Sequence, residues 1–272
     1  MAGDACEMME RLLITGAAGG LGTALRPRLA HLARWVRISD RVEMADVQPN
    51  EEAVVCNIAD PQAVFDLVDG CDGVVHFGGR SLEDTWEVIR ASNIEGMVNL
   101  YEAARKTGQP RIVFASSNHA IGFYPQTERL DAAAPTRPDG FYGVSKVFGE
   151  ALASMYHDKF GIESALVRIG SCLPEPVNHR MLATWLSYGD FTRLIERVFA
   201  VEELGCPVIY GASANDAGWW DNSAVDYLGW VPEDNAEVFR KKLDAAMERP
   251  GPEDPTVLYQ GGTFAADGIH EG

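Results

Sequence analysis

The stretch RLLITGAAGGLG, residues 11–22, decides how the chain is read. A short apolar run ends at Gly16, and Gly19 and Gly22 follow at three-residue steps before a helix-forming segment. Glycine permits the tight turn and lets the main chain approach a pyrophosphate closely. The helix that follows offers unpaired N–H groups to the anion. A glycine triplet alone is weak, but here it has the strand–turn–helix context that a dinucleotide site requires. Gly16, Gly19, Gly20, Leu21 and Gly22 are therefore candidate cofactor-binding residues. Pro27 falls inside the following helix, where its missing N–H predicts a kink.

Outward from this turn the pattern repeats. WVRISD (35–40), AVVCNI (53–58), GVVHFGG (73–79), RIVFASS (111–117) and SALVRIGS (164–171) read as further strands. Helical stretches lie between them near 20–33, 61–69, 84–107 and 140–160. Strands alternating with helices predict an α/β fold with a doubly wound parallel sheet, the Rossmann fold. After Ser171 the rhythm breaks: CLPEPVNHRM is loop-like, TWLSYGDFTRLIERVFA (184–200) reads as a helix, and CPVIYGAS (206–213) as one more strand. The expected organisation is a nucleotide-binding core over 1–170 with a further strand near 206–213. A small C-terminal substrate lobe takes 171–205 and 214–272.

The chain has 272 residues, 46% hydrophobic and 23% charged, enough for a sizeable core in an ordinary soluble protein. No segment approaches the roughly 20 apolar residues of a membrane span, and no secretory signal is evident at the N-terminus. Cys6, Cys56, Cys71, Cys172 and Cys206 lack a CxxC spacing and read as reduced thiols of a cytoplasmic protein, with no metal site. Residues 1–8 precede the first strand and read as a loose start. The net charge of −17 argues against nucleic acid or anionic membranes as partners. It fits either a protein working at high ionic strength or simply an acidic bacterial enzyme; a melting temperature that climbs with salt marks the first. It also means that an anionic substrate needs a local positive clamp.

Asp40 ends the second strand, where a carboxylate accepts hydrogen bonds from ribose hydroxyls and repels a 2′-phosphate, favouring NAD over NADP. Arg41 beside it softens that preference. Asn57 and Ile58 are placed to meet the adenine, although Asn57 also reads as an ordinary turn residue. Phe77, Gly78 and Gly79 end the fourth strand and suit close passage of the cofactor. Ser117 emerges at the carboxyl end of the fifth strand, the edge where open α/β sheets bind ligands. Then FYGVSK (141–146) sets Tyr142 and Lys146 four residues apart, on one helix face. A phenol titrating near about 10 is a poor base at neutral pH. A neighbouring ammonium, together with oxidised nicotinamide, favours the phenolate. Ser117 can then hold the reacting oxygen in line, while Lys146 also grips the cofactor.

Together the glycine triplet, Ser117 and the Tyr142–Lys146 pair resemble the short-chain dehydrogenase/reductase superfamily in its extended branch. ASSNHAIGFYPQTERL (115–130), PDGFYGVSK (138–146), VRIGSCLPEP (167–176), GASANDAGWWDN (211–222) and QGGTF (260–264) are similar, more narrowly, to the uronate dehydrogenases. That resemblance covers nearly the whole chain. It implies oxidation of galacturonate or glucuronate at the anomeric carbon with NAD, releasing an aldarolactone. It implies Tyr142 as the base, Lys146 as its tuner, and Asn93 as support for a proton relay. Ser81, Ser117, Asn118, His119 and Ser171 would contact sugar hydroxyls, Arg180 would grip the substrate carboxylate, and Phe264 would pack against the sugar. Cys172 would lie at the nicotinamide end. Kinship also implies a homo-oligomer assembled through the long helices.

The residues themselves support some of these roles and are silent on others. Arg180 answers the charge problem, because guanidinium pairs with carboxylate through two parallel hydrogen bonds. His119 alone reads as a hydrogen-bonded structural histidine, and Trp219 and Trp220 as packing. Two other functions share the same motifs. One is a sugar-nucleotide epimerase or dehydratase, which would need a larger lobe for the nucleotide half of its substrate. The other is a non-catalytic NAD-sensing regulator, which needs no catalytic set.

Overall fold

The computed structural model describes residues 8–271; the expectations for Cys6 and the start at 1–7 lie outside the described residues. Seven strands form one parallel sheet: β1 (Met9–Thr15), β2 (Ala33–Asp40), β3 (Glu51–Val55), β4 (Gly73–His76), β5 (Arg111–Ser117), β6 (Ser164–Ile169) and β7 (Val208–Gly211). Their spatial order is β3-β2-β1-β4-β5-β6-β7. The order reverses between β1 and β4, which opens a crevice at the carboxyl ends of the strands.

Alternation along the strands sorts the core into two layers. Leu12, Ile14, Val75, Val113 and Val167 face one side, where they meet α1 (Gly20–Leu29). Leu13, Val74, Ile112, Phe114 and Leu166 face the other, against α2 (Pro61–Val68). The second layer continues through a long helical run. It begins as α3 (Trp86–Ile89), widens to a π-helical stretch over Arg90–Glu95, and becomes α4 (Gly96–Lys106). Then comes α5 (Phe141–Phe160), the helix that carries FYGVSK.

Beyond β6 lie α6 (Met181–Thr184) and α7 (Tyr188–Ala200), followed after β7 by α8 (Arg240–Ala246) and α9 (Pro255–Leu258). Helix α7 turns Phe191, Leu194, Ile195 and Val198 into the first core layer beside α1, so this part of 171–205 packs on the sheet. Pro27 does not stop α1. The helix runs on to Leu29 and then tightens into a 3-10 turn at Ala30–Leu32. Among the described residues no helix is long and apolar enough to cross a membrane, and Cys56, Cys71, Cys172 and Cys206 are free thiols.

Candidate active site

The glycine turn fits a pyrophosphate by its geometry. Gly16 has φ +67° and lies so close to the end of β4 that a Cβ there would come 2.7 Å from the Gly78 nitrogen. A Cβ at Gly22 would sit 2.2 Å from the Gly16 carbonyl oxygen. At Gly20, by contrast, added carbon would meet nothing within 4 Å, so the first turn of α1 is open on the crevice side. The Gly19 cap residue has no side chain, which leaves the first N–H groups of α1 free to face an anion. Asp40, at the end of β2, accepts hydrogen bonds from the N–H groups of Ala18 (3.0 Å) and Arg41 (2.7 Å). Its carboxylate is thereby fixed at the rim of the same turn.

Asn57 is exposed and accepts from the N–H of Ala59, the turn-residue reading of that side chain. Ile58 packs against Gly96 at the start of α4. Phe77 sets its ring edge-on to Phe191, 5.9 Å away. Gly79 has φ +126°, and a Cβ there would strike the Asn93 carboxamide oxygen at 2.8 Å. Asn93 itself is buried in the π-helical stretch. Its amide nitrogen donates to the Arg80 carbonyl (3.0 Å) and the Ser145 hydroxyl (2.9 Å), and its oxygen accepts from the Arg80 N–H and the Ser92 hydroxyl. The carboxamide is saturated. It pins the loop after β4 to α5.

Strand β5 and helix α5 bring the chemical groups together. Ser117, 5% exposed, ends β5; its hydroxyl accepts from the His119 N–H and also hydrogen-bonds the Tyr142 phenol. The Lys146 ammonium donates to the Ala115 carbonyl at 2.8 Å and lies 5.3 Å from the centre of the Tyr142 ring. The four-residue spacing thus makes them neighbours. Their titration is governed first by burial, which pushes the Tyr142 phenol up to about 12 against the pull of Ser117, with Asp139 adding a small upward push. Burial also lowers Lys146 to about 8, opposed by Glu150. Burial of the phenol thus works against the depressed value that the spacing suggested.

Behind Lys146 stands His76, 2% exposed, hydrogen-bonded through Nδ1 to the Thr15 hydroxyl at 2.8 Å. Burial and the nearby Lys146 hold it down to about 3, so it is neutral. Farther back, Glu150 accepts two hydrogen bonds from Arg168 (2.9 and 2.7 Å) and one from Ser116 (2.6 Å), a buried ion pair that braces α5 on β5 and β6.

The substrate side is closed by the chain's tail. His119 donates or accepts through Nδ1 with buried Asp139 at 2.8 Å, and its ring stacks on Phe264 with centroids 3.9 Å apart. Phe264 is also 6.2 Å from the Tyr142 ring. Arg180 is half-buried; its guanidinium donates through Nε (2.7 Å) and Nη2 to the Gln260 carbonyl, to which buried Asn118 also donates at 3.3 Å. Burial lowers Arg180 to about 10, with Asp139 opposing, so it remains cationic at neutral pH. Ser171 is tied to Thr184, hydroxyl to hydroxyl at 3.0 Å. Cys172 packs on the α1/α7 side, where burial raises its thiol well above the ordinary range. Ser81 lies exposed on the loop that leads to Glu83.

Four buried residues that the sequence reading passed over shape this site: Thr15, Glu83, Asp139 and Gln260. Each acts through a partner distant in sequence. Glu83 accepts from the N–H groups of Phe141 (2.8 Å) and Tyr142 (2.9 Å), capping α5 from outside. The one local sign was Gly140, whose bare α-carbon admits that carboxylate: a Cβ would lie 2.3 Å from Glu83 Oε2.

The geometry defines a class, a nucleotide-cradling sheet facing a serine, a tyrosine and a lysine. Residues 12–219 match the NAD dependent epimerase/dehydratase family, and the chain belongs to it, within the branch formed by the uronate dehydrogenases. It is 60% identical over 261 residues to the uronate dehydrogenase of Agrobacterium fabrum, covering 96% of this chain and 98% of that one. A crystal structure of uronate dehydrogenase from Agrobacterium tumefaciens, a tyrosine-to-alanine mutant complexed with NAD, is similar at a TM-score of 0.96 and 59% identity, covering 97% and 99% of the two chains. The glucuronic acid dehydrogenase structure from Chromohalobacter salexigens is similar at 0.95 and 55%, covering 96% and 98%.

Proposed function

We propose that the protein oxidises the anomeric C1 hydroxyl of a hexuronic acid, galacturonate or glucuronate, to the aldarolactone with NAD as cofactor. The observation that carries this reading is the position of Arg180. A cationic guanidinium is held by the Gln260 carbonyl, four residues before the Phe264 ring that lies beside Tyr142. A neutral sugar would not need it, and in a chain of net charge −17 a carboxylate substrate does.

Tyr142 accepts the proton of the C1 hydroxyl while Ser117 hydrogen-bonds the same oxygen and keeps it in line. When bound, NAD takes up the hydride from C1, and its positive ring adds to Lys146 in favouring the phenolate. Gly16, Gly19, Gly20, Leu21 and Gly22 hold the pyrophosphate and Asp40 the ribose hydroxyls. Asn57, Ile58 and the strand end at Phe77, Gly78 and Gly79 line the path between. Lys146 holds the nicotinamide ribose, near Cys172. Ser81, Asn118, His119 and Ser171 serve the sugar hydroxyls, Arg180 the carboxylate, and Phe264 a sugar face. The lobe in this reading comprises 171–205 and 214–272. The protein works in the cytoplasm as a homo-oligomer joined on its long helices, where Trp86, Val98 and Val144 are exposed.

The test is a panel of galacturonate, glucuronate and neutral hexoses with NAD and NADP, followed by absorbance of the reduced cofactor. One NADH per uronate, with little from neutral sugars, is expected. Interconversion of sugars without net NADH, or no preference for acids, overturns the reading.

A further inference from the structure

We infer that Gln260 is the positioning residue of the carboxylate clamp: its anchored main-chain carbonyl aims Arg180 at the substrate, so preference for an acid sugar depends on Gln260. The inference rests on the function proposed above and gives the QGGTF and Trp-rich segments a task in it.

Gln260 is fully buried, and its side chain is held on both ends. The amide nitrogen donates to the carbonyls of Glu128 (2.8 Å) and Pro125 (3.1 Å), and the amide oxygen accepts from the Trp220 indole N–H (2.8 Å). Trp220 is in turn fixed by stacking on Tyr210, with centroids 5.2 Å apart and planes within 12°. The Gln260 N–H donates to the Tyr124 carbonyl at 2.8 Å. The peptide therefore has no freedom to turn, and its carbonyl faces Arg180 and Asn118 together. Occupying Nε and one Nη2 hydrogen leaves the end-on Nη1/Nη2 edge of the guanidinium for a carboxylate.

The following glycines are explained by the same contact. Gly261 gives way to Asp139, since a Cβ would come 1.8 Å from its Oδ2. Gly262, at φ +67°, gives way to Arg180, whose Cδ would lie 2.7 Å from a Cβ. One acid and one cation, Asp139 and Arg180, thus both lie directly against the backbone of this segment, Asp139 with Gly122 on its other contact. The orphaned Asn118 Oδ1, buried without a partner, belongs to the same surface.

The test compares Gln260→Glu, which keeps the shape and the Trp220 acceptor but loses both amide donors, with Trp220→Phe, which keeps an aromatic face toward Tyr210 and loses the indole N–H together with the second ring. KM for galacturonate and for galactose, kcat and NAD affinity are measured for each variant, alone and in an Arg180→Ala background. KM for galacturonate should rise about tenfold in the first and about threefold in the second, the scale of one or two lost buried hydrogen bonds. NAD affinity should stay within about twofold, and both KM penalties should shrink below about twofold once Arg180 is gone, because the effect passes through it. Penalties of the same size with and without Arg180, or an unchanged KM, overturn the inference. Should Gln260→Glu fail to fold, Trp220→Phe decides alone on that criterion. The parent protein separates the two levels: if it already treats galacturonate and galactose alike, the proposed function itself fails, and this inference with it.

Discussion

The carboxylate of Glu83 closes the N-terminus of the helix that carries Tyr142, accepting hydrogen bonds from the N–H groups of Phe141 and Tyr142. Helix α5 has no side-chain cap of its own, since its cap residue is Gly140. The loop after β4 therefore supplies what the helix lacks, and the first turn of α5 is located by a contact 58 residues away in the chain.

Glu83→Ala should lower stability by about 1–3 kcal/mol, because two N–H groups of a buried helix end lose their acceptor. It should also lower kcat more than it raises KM, because Tyr142 is displaced. Glu83→Gln, which keeps one acceptor oxygen, should fall between. Thermal melts with steady-state kinetics on the three proteins check this; an alanine variant matching the parent in both contradicts it.

Arg180→Ala should raise KM for galacturonate about a hundredfold, the scale of two charge-assisted hydrogen bonds, while NAD affinity is unchanged. Isothermal titration with NAD and initial rates with uronate separate the two effects. Normal binding and oxidation of uronate by this variant would show that the clamp lies elsewhere.

His76 makes the fold sensitive to acid. Burial, with Lys146 beside it, lowers its folded-state value from 6.5 to about 3. Between those limits the unfolded chain binds a proton that the folded one refuses. Stability is therefore full above about pH 6.5 and falls as the pH drops toward 3, by up to about 1.4 kcal/mol per pH unit from this group. Urea midpoints measured from pH 7 to 4.5 should decline less steeply in His76→Gln than in the parent. Equal slopes would remove His76 from the account.

Much of this was written locally. The glycine turn could be read because strand, turn and helix are contiguous, and Tyr142 with Lys146 because helical periodicity makes neighbours of residues four apart. Ser117 followed from the rule that binding groups gather at the carboxyl edge of a parallel sheet. Strand ends were less legible: AVVCNI suggested 53–58, whereas β3 pairs over Glu51–Val55 and the chain then turns through Asn57. The π-helical stretch that seats Asn93 has no signature in a smooth helical pattern, so its saturated carboxamide was not foreseen. Glu83 and Gln260 were invisible for another reason. Their partners lie 58 and 80 residues away, and a single carboxylate or amide carries no period that announces such a contact. The depression of Tyr142 by Lys146 was read from spacing alone, and spacing does not report how much burial works against it.

The most direct test of the central claim is reduced-cofactor formation from galacturonate by Tyr142→Phe, with NAD affinity measured on the same preparation. Loss of turnover by about a thousandfold or more at unchanged NAD affinity is the predicted result, since only the hydroxyl that receives the C1 proton is removed. A variant that still forms NADH at near the parent rate would contradict it.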